Sequence, residues 1–211
     1  MRTPKIDKSA AIDRLVADEL RDALGVCTIG REIVVLEETA STNDSVLQRA
    51  TFDTPEGLVV FAERQTAGRG QRGNTWESAA HKGLWFSILL RPKIDIGDSG
   101  RLTAWAAEAI AQTIAKEFAL SATIKPPNDI YIAGKKIAGV LVEMRAQQNA
   151  PHVAISGIGI NMNHRLEDFS KELRSRAISL AMVLDRQVDR QQFAIALLRN
   201  LDRTYVETFG S

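Results

Sequence analysis

The chain has 211 residues and a mass of 23.2 kDa, room for one domain with at most a small appendage but not for two independent cores. Hydrophobic residues at 45% against 25% charged fit a soluble globular chain and exclude a disordered or collagen-like one. With 27 Lys and Arg against 26 Asp and Glu, the formal charge is +1. That excludes a dedicated nucleic-acid binder, so anion chemistry must come from a local basic cluster. The single cysteine, Cys27, can close neither an internal disulfide nor a multi-thiolate zinc site, which points to a reducing compartment. Residues 1–8 lack the apolar stretch of a signal peptide, and the most apolar window, 105–115, is broken by Glu108 and Gln112. The expectation is a cytoplasmic protein with no membrane partner.

Ile12, Leu15, Val16, Leu20, Ala23 and Leu24 recur at helical spacing between a cap at Asp7 or Ser9 and a stop at Gly25, predicting an amphipathic helix over 9–24. One helix is too little for a helix-turn-helix module. The β-branched run in 31–36 predicts the first strand, and 39–44 reads as a capping segment into a helix ending near Ala50. Residues 57–62 form a buried strand, 65–78 a polar, Gly-rich loop, and 83–90 another strand closed by Arg91-Pro92. A long helix follows over 101–118, with Leu102, Trp105, Ala106, Ala109, Ile110 and Ile114 on its apolar face. Next come a short strand at 122–125, a Pro126-Pro127-Asn128-Asp129 turn, and a hairpin with arms 130–133 and 136–144 joined through Ala133-Gly134-Lys135. A last strand, 152–160, runs into Gly157-Ile158-Gly159-Ile160-Asn161-Met162-Asn163. A short helix near Leu180 and a longer one carrying Phe193, Leu197, Leu198, Leu201, Tyr205 and Phe209 close the chain. Hairpin-paired strands with irregularly interleaved helices predict the α+β class: a mixed β-sheet flanked by helices. Residues 1–30 supply the N-terminal helix, and 31–211 make one domain.

Gly68-Arg69-Gly70-Gln71-Arg72-Gly73 has the glycine spacing of a dinucleotide-binding turn. Such a turn opens an apolar helix, whereas Asn74-Thr75-Trp76-Glu77-Ser78 here lead towards a strand. What remains is either a plain solvated turn or a loop whose two guanidinium groups and uncovered N–H groups wrap a phosphate ester. The second cluster is Lys125-Pro126-Pro127-Asn128-Asp129 with Lys136 and Gly139. A tight fold-back of the hairpin arm would bring Asp129 and Lys136 to one ligand, the carboxylate holding Mg²⁺ and the ammonium neutralising a phosphoryl oxygen. An exposed ion pair on a surface turn accounts for the spacing equally well.

Together, Ser41-Thr42-Asn43, the run from Glu63 through Gly70 to Trp76, Pro127-Asn128-Asp129 with the run from Lys136 to Glu143, and Gly157-Ile158-Gly159-Ile160-Asn161 resemble the catalytic domain of biotin protein ligases. Order and separations match over roughly residues 31–205. The resemblance implies the class II synthetase-like fold of the biotin/lipoate ligase superfamily. It also implies activation of biotin by ATP, with Mg²⁺, to biotinyl-5′-AMP, and transfer of biotin to a lysine of a biotin carboxyl carrier domain, as in acetyl-CoA carboxylase. It sets Ser41, Thr42, Asn43 and Gln65 around the ureido head, with Gly68, Gly70, Gln71, Gly139 and Gly157 completing the biotin pocket. Neutral hydrogen-bonding groups suit an uncharged ureido. Arg69 falls at the activated carboxyl and Lys136 between carboxyl and α-phosphate, where two anions meet only if fixed cations neutralise them. Arg72, Trp76, Asn128 and Asn161 fall on the ATP side, Trp76 stacking on adenine and Asn161 bonding its edge. The alternative for Trp76 is to anchor the loop in the core. Asp129 either binds the metal or orients the acceptor amine.

The sequence also departs from the family pattern. Gln71 stands where many relatives carry an arginine thought to retain the adenylate, which implies a looser hold on biotinyl-AMP. Pro126 replaces the usual tryptophan of the Lys-Trp-Pro-Asn-Asp motif and removes an aromatic wall. The sequence ends at Ser211, where many relatives continue into a small SH3-like β-barrel, and the short N-terminal side leaves no DNA-binding module, so repression and a DNA partner are not expected. A homodimer through the sheet edge is a common arrangement among relatives. Lipoate and octanoyl ligases are the nearest rivals, and a non-catalytic biotin sensor is the alternative of another class. Ser41-Thr42-Asn43 with Gln65 favours biotin, and Lys136 together with Asp129 favours an enzyme.

Overall fold

The computed structural model describes residues 13–146 and 152–210. One mixed sheet runs in the order β1 (Glu32–Thr39), β2 (Leu58–Gln65), β3 (Gly83–Leu90), β7 (Val153–Asn161), β6 (Lys135–Arg145), β5 (Asp129–Ile132) and β4 (Thr123–Lys125). β1 and β2 are parallel because α2 (Thr42–Arg49) carries the chain across between them. The other neighbouring pairs are antiparallel. The β5–β6 hairpin turns on Ala133 and Gly134, both at positive φ (50° and 75°), the backbone that a two-residue loop needs to follow the strand twist. Lys135 therefore belongs to the strand and not to the turn.

Strand alternation divides the apolar residues between two faces. Val59, Phe61, Leu84, Phe86, Ile88, Ala154 and Ile158 face the main core. α3 (Ser99–Phe118) and α5 (Arg190–Phe209) close that core, together with α1 (Ala17–Leu24). The six apolar residues named above for the long helix are all buried, and Trp105 packs against Tyr205 and Phe209. On the opposite face α2 is the helix, among the described residues, that covers β2, β3 and β7, over a smaller cluster of Val46, Leu58, Val60, Leu89, Val153 and Ile155. That asymmetry leaves the β5–β6 end of this face open.

The N-terminal helix is shorter than its apolar spacing predicts. It begins at Ala17, and residues 13–16 are not helical; residues 9–12 of the expected helix lie outside the described residues. The reason is a buried charge cluster. The Arg190 guanidinium, fully buried, donates to Glu63 Oε2 (2.8 Å), Gly83 O (2.9 Å) and Asp13 Oδ2 (3.1 Å), and also to the Asp13 carbonyl. Glu63 Oε1 accepts from the Leu15 N–H (2.9 Å) and Gln191 Oε1 from the Val16 N–H (3.1 Å). A helix over 13–16 would turn these backbone groups away from β2 and α5 and strand a buried charge.

Candidate active site

The floor of the open face is set by strand register. Trp85, Gly159, Gly139 and Asp129 lie side by side across β3, β7, β6 and β5, and Ser87, Gly157 and Leu141 form the next row. Three glycines on two central strands make a trough. A Cβ at Gly159 would stand 2.6 Å from Trp76 Cε2, one at Gly139 would stand 2.9 Å from Trp76 Cζ3, and one at Gly157 would run into the Asn43 amide. The trough becomes a cavity of about 290 Å³. At one end are Ser41, Thr42, Asn43 and Gln65; at the other are Asn128, Asp129 and Lys136. Arg69, Gly70, Gln71 and Arg72 come from the loop, with Gly139 and Gly157 below.

At the first end, buried side chains at the start of α2 bond one another through β2 and β3. Ser41, within the capping segment read at 39–44, occupies the helix N-cap position, although its side chain makes no cap bond. The Thr42 N–H donates instead to Gln65 Oε1 (2.8 Å), as does the Thr42 hydroxyl (3.1 Å). Ser87 Oγ lies within donating distance of Thr42 Oγ1 (2.7 Å) and Asn43 Oδ1 (2.5 Å). Each hydroxyl can both donate and accept, so the cluster satisfies itself, and Asn43 Oδ1 keeps a second lone pair beyond the one that takes the Ser87 hydroxyl. Asn43 Nδ2 donates to Glu143 Oε2 (2.6 Å).

The Gly-rich loop is folded back on itself. The Trp76 N–H bonds to Gly68 O (2.9 Å), the Gly70 N–H bonds to Asn74 O (2.7 Å), and Arg72 takes a left-handed conformation (φ 58°). Arg69 grips Asp44 with both terminal nitrogens (2.7 and 2.8 Å) and reaches Glu143 Oε2 at 3.3 Å. Its hydrogen bond to Asp44 holds that carboxyl below the usual carboxylate range and pushes the Arg69 pKa higher still. Lys136 Nζ lies 2.6 Å from Asp129 Oδ1 and 5.2 Å from the Trp76 ring centre. The hairpin therefore folds back tightly, as the spacing allows, but the two charges meet each other before any ligand. The Lys136 backbone is clamped as well, donating to Arg176 O (2.8 Å) and accepting from the Ile178 N–H (3.0 Å).

Beyond Lys136, Asp129 and Trp76 the trough opens into a second cavity of about 570 Å³ that also meets Asn161, His164 and Phe169. Trp76 meets Trp85 edge-on, Trp85 meets His164 edge-on, and His164 stacks on Phe169. Burial pushes the His164 pKa down to about 4. Asn161 thus stands with Trp76, apart from Thr42, Asn43 and Gln65, and its amide donates to Ile178 O (3.1 Å). Gly68 lines neither cavity: a Cβ there would stand 2.5 Å from Trp76 O, so the glycine closes the loop from behind. Asp129 has one carboxylate oxygen on Lys136, and among the described residues no three His, Cys, Asp or Glu side chains gather as a metal cage. Sequence reasoning passes over Ser87, Asp44 and the role of Glu143. Ser87 was detectable as the one polar side chain in Gly-Leu-Trp-Phe-Ser-Ile-Leu-Leu.

Residues 35–161 match the model of the biotin/lipoate A/B protein ligase family. The chain is 35% identical over 192 residues to the bifunctional ligase/repressor BirA of Bacillus spizizenii, covering 91% of this chain and 59% of that protein. It is 29% identical over 209 residues to the biotin--[acetyl-CoA-carboxylase] ligase of Mycobacterium tuberculosis, covering 97% and 72%. The fold is similar to that of the biotin protein ligase from Aquifex aeolicus in complex with biotin and ATP, with a TM-score of 0.70 and 28% identity over 85% of this chain and 73% of that one. The chain therefore spans about three-fifths of the length of the Bacillus protein. With a family model covering well over half of its residues, including the trough strands and the Gly-rich loop, this chain belongs to the biotin/lipoate A/B protein ligase family.

Proposed function

We propose that this chain activates biotin with ATP to biotinyl-5′-AMP and passes the biotin to a lysine of a biotin carboxyl carrier domain. The observation that carries the reading is the polarity of one continuous trough. Its first end is neutral, lined by Ser41, Thr42, Asn43 and Gln65 with the Ser87 hydroxyl bonded behind them. The other end holds Lys136 beside an indole. An uncharged ureido supplies N–H donors to the first end, and its carboxylate tail then lies towards the cations.

In the first step a carboxylate oxygen attacks the α-phosphorus of ATP and the bond to the β-phosphate oxygen breaks, releasing pyrophosphate. Negative charge grows on the α-phosphate oxygens, and Lys136, leaving Asp129, supplies a fixed positive charge there. Arg69 and Arg72 add loop cations. In the second step the acceptor amine attacks the acyl carbon, the acyl–phosphate bond breaks with AMP leaving, and the proton the amine loses passes to solvent. Asp129, freed from Lys136, orients that amine. Trp76 and Asn161 border the second cavity, which this reading gives to the adenosine; Asn128 stands at the junction. Mg²⁺ carried on ATP would neutralise phosphate charge, and Asp129 is the carboxylate that would help hold it. α1 packs against α5 and β1 with Leu20 buried, which supports assigning that helix to the catalytic domain and not to a DNA-binding role.

Mass spectrometry of the protein with ATP, Mg²⁺ and either biotin or lipoate, before any carrier is added, tests the proposal. The expected product is biotinyl-AMP from biotin and no adenylate from lipoate. Lipoyl-AMP would move the chain to the lipoate branch of the family. Biotin binding without adenylate would make it a sensor.

A further inference from the structure

Asn43 can sit in its site two ways, and the choice decides what the head of the trough recognises. With its oxygen towards Ser87 and Gly157 the amide presents an acceptor at the floor, whose second lone pair can take a ligand N–H. With its NH₂ there it presents a donor, which repels a ligand N–H. Nothing on the Ser87 side fixes the choice, because a hydroxyl both donates and accepts. The other side does: Nδ2 meets Glu143 Oε2 at 2.6 Å, a carboxylate oxygen that accepts. The same oxygen takes Arg69 Nη2 at 3.3 Å, so it accepts from both neighbours.

We propose that Glu143 is a positioning residue that sets the specificity of the head pocket, by locking the Asn43 amide with its oxygen facing the floor so that only a ligand offering an N–H donor is bound well. The inference rests on the reading of this trough as a biotin site and adds a residue that acts through Asn43 without touching the ligand. The Glu143 and Arg69 side chains are 43% and 40% exposed, so the ion pair itself contributes little to stability. Its effect is on selectivity.

The test uses the whole chain, isothermal titration, and two probes: biotin and the cyclic carbamate in which one ureido N–H is replaced by oxygen. Wild type should prefer biotin by about tenfold or more, the usual penalty for an acceptor facing an acceptor in a buried site. In Glu143→Met, similar in length but without an acceptor, the preference should fall to within about threefold. Glu143→Gln, which can still accept through its amide oxygen, should recover part of it. Melting temperatures of the variants should stay close to wild type, which a merely structural role would not allow alongside the loss. Asn43→Ala should abolish the preference, and adding Glu143→Met to it should change nothing further. Should Glu143→Met fail to fold, Glu143→Ala replaces it in the same cycle. A wild type that discriminates while Glu143→Met discriminates equally, or additive effects in the cycle, would overturn this inference alone. A wild type that binds neither probe would overturn the biotin reading and this inference with it.

Discussion

Lys136 and Gln65 sit in one trough but are asked for different things, and substitution should separate them. Lys136 meets Asp129 in the free chain and the developing phosphate charge in the transition state. Lys136→Ala should leave biotin affinity within a few-fold while slowing adenylation ~10²-fold or more, as loss of a preorganised charge does. Gln65 receives both the N–H and the hydroxyl of Thr42. Gln65→Leu strands those donors and should weaken biotin by ~1–3 kcal/mol. Equilibrium titration paired with single-turnover adenylate formation separates the two, and equal loss of binding in both variants would contradict the division. Much of this was legible in the residues themselves: Ser41-Thr42-Asn43, Gln65, Arg69 and Lys136 line one cavity although they come from four segments of the chain. What the sequence hides is pairing. That Arg69 spends its fork on Asp44 and Lys136 its ammonium on Asp129 depends on how α2, the loop and the hairpin are juxtaposed. Asn161 lines the same cavity as Trp76, yet its bond to Ile178 O could not be read from spacing.

The elements were legible where hydrophobic period and turn chemistry agree. β3 has the bounds its apolar run predicts, and α3 starts only two residues before its expected position. They were illegible where distant polar side chains take over the backbone, as at residues 13–16, where Glu63 and Gln191 accept the N–H groups that an apolar pattern assigns to a helix. Between these cases lies the floor. Gly139, Gly157 and Gly159 are ordinary strand residues by position, and only the register of β6 against β7 shows that they align into a trough under Trp76 and Asn43. In Gly159→Ala the strand should persist, because the position lies in regular antiparallel pairing. The indole above it cannot stay, with a methyl 2.6–2.9 Å from its Cε2, Cζ2 and Nε1 atoms. Tryptophan emission should shift to the red and acrylamide quenching should rise, since Trp85 and Trp105 remain buried and only Trp76 is displaced. Emission identical to wild type would mean that the ring does not rest on Gly159.

At the scale of the whole molecule, the fold joins two cores of unequal cover, and the seam between sheet and site is aromatic. Trp85 and His164 are buried where the trough meets the segment after β7, and His164 Nδ1 has no hydrogen-bond partner among the described residues. Burial, reinforced by Lys82 and Arg190 and opposed by Asp168, lowers its pKa to about 4 from 6.5. The native state therefore favours neutral imidazole. Above pH 6.5 neither state binds the proton and the full stability is present. As the pH falls from 6.5 towards 4 the unfolded chain takes up a proton that the native chain refuses, and stability declines across that window. For a shift of this size the loss approaches about 3 kcal/mol, a large share of a domain's usual margin. His164→Leu keeps an apolar body between Trp85 and Phe169 and removes the titration. Urea denaturation at pH 7.0, 5.5 and 4.5 should show wild type losing about 2–3 kcal/mol relative to the variant by the lowest pH, with the curves converging or crossing as acidity rises. Parallel losses in the two proteins would show that His164 is charged, or solvated, in the folded state, and that the acid limit of this fold is set elsewhere.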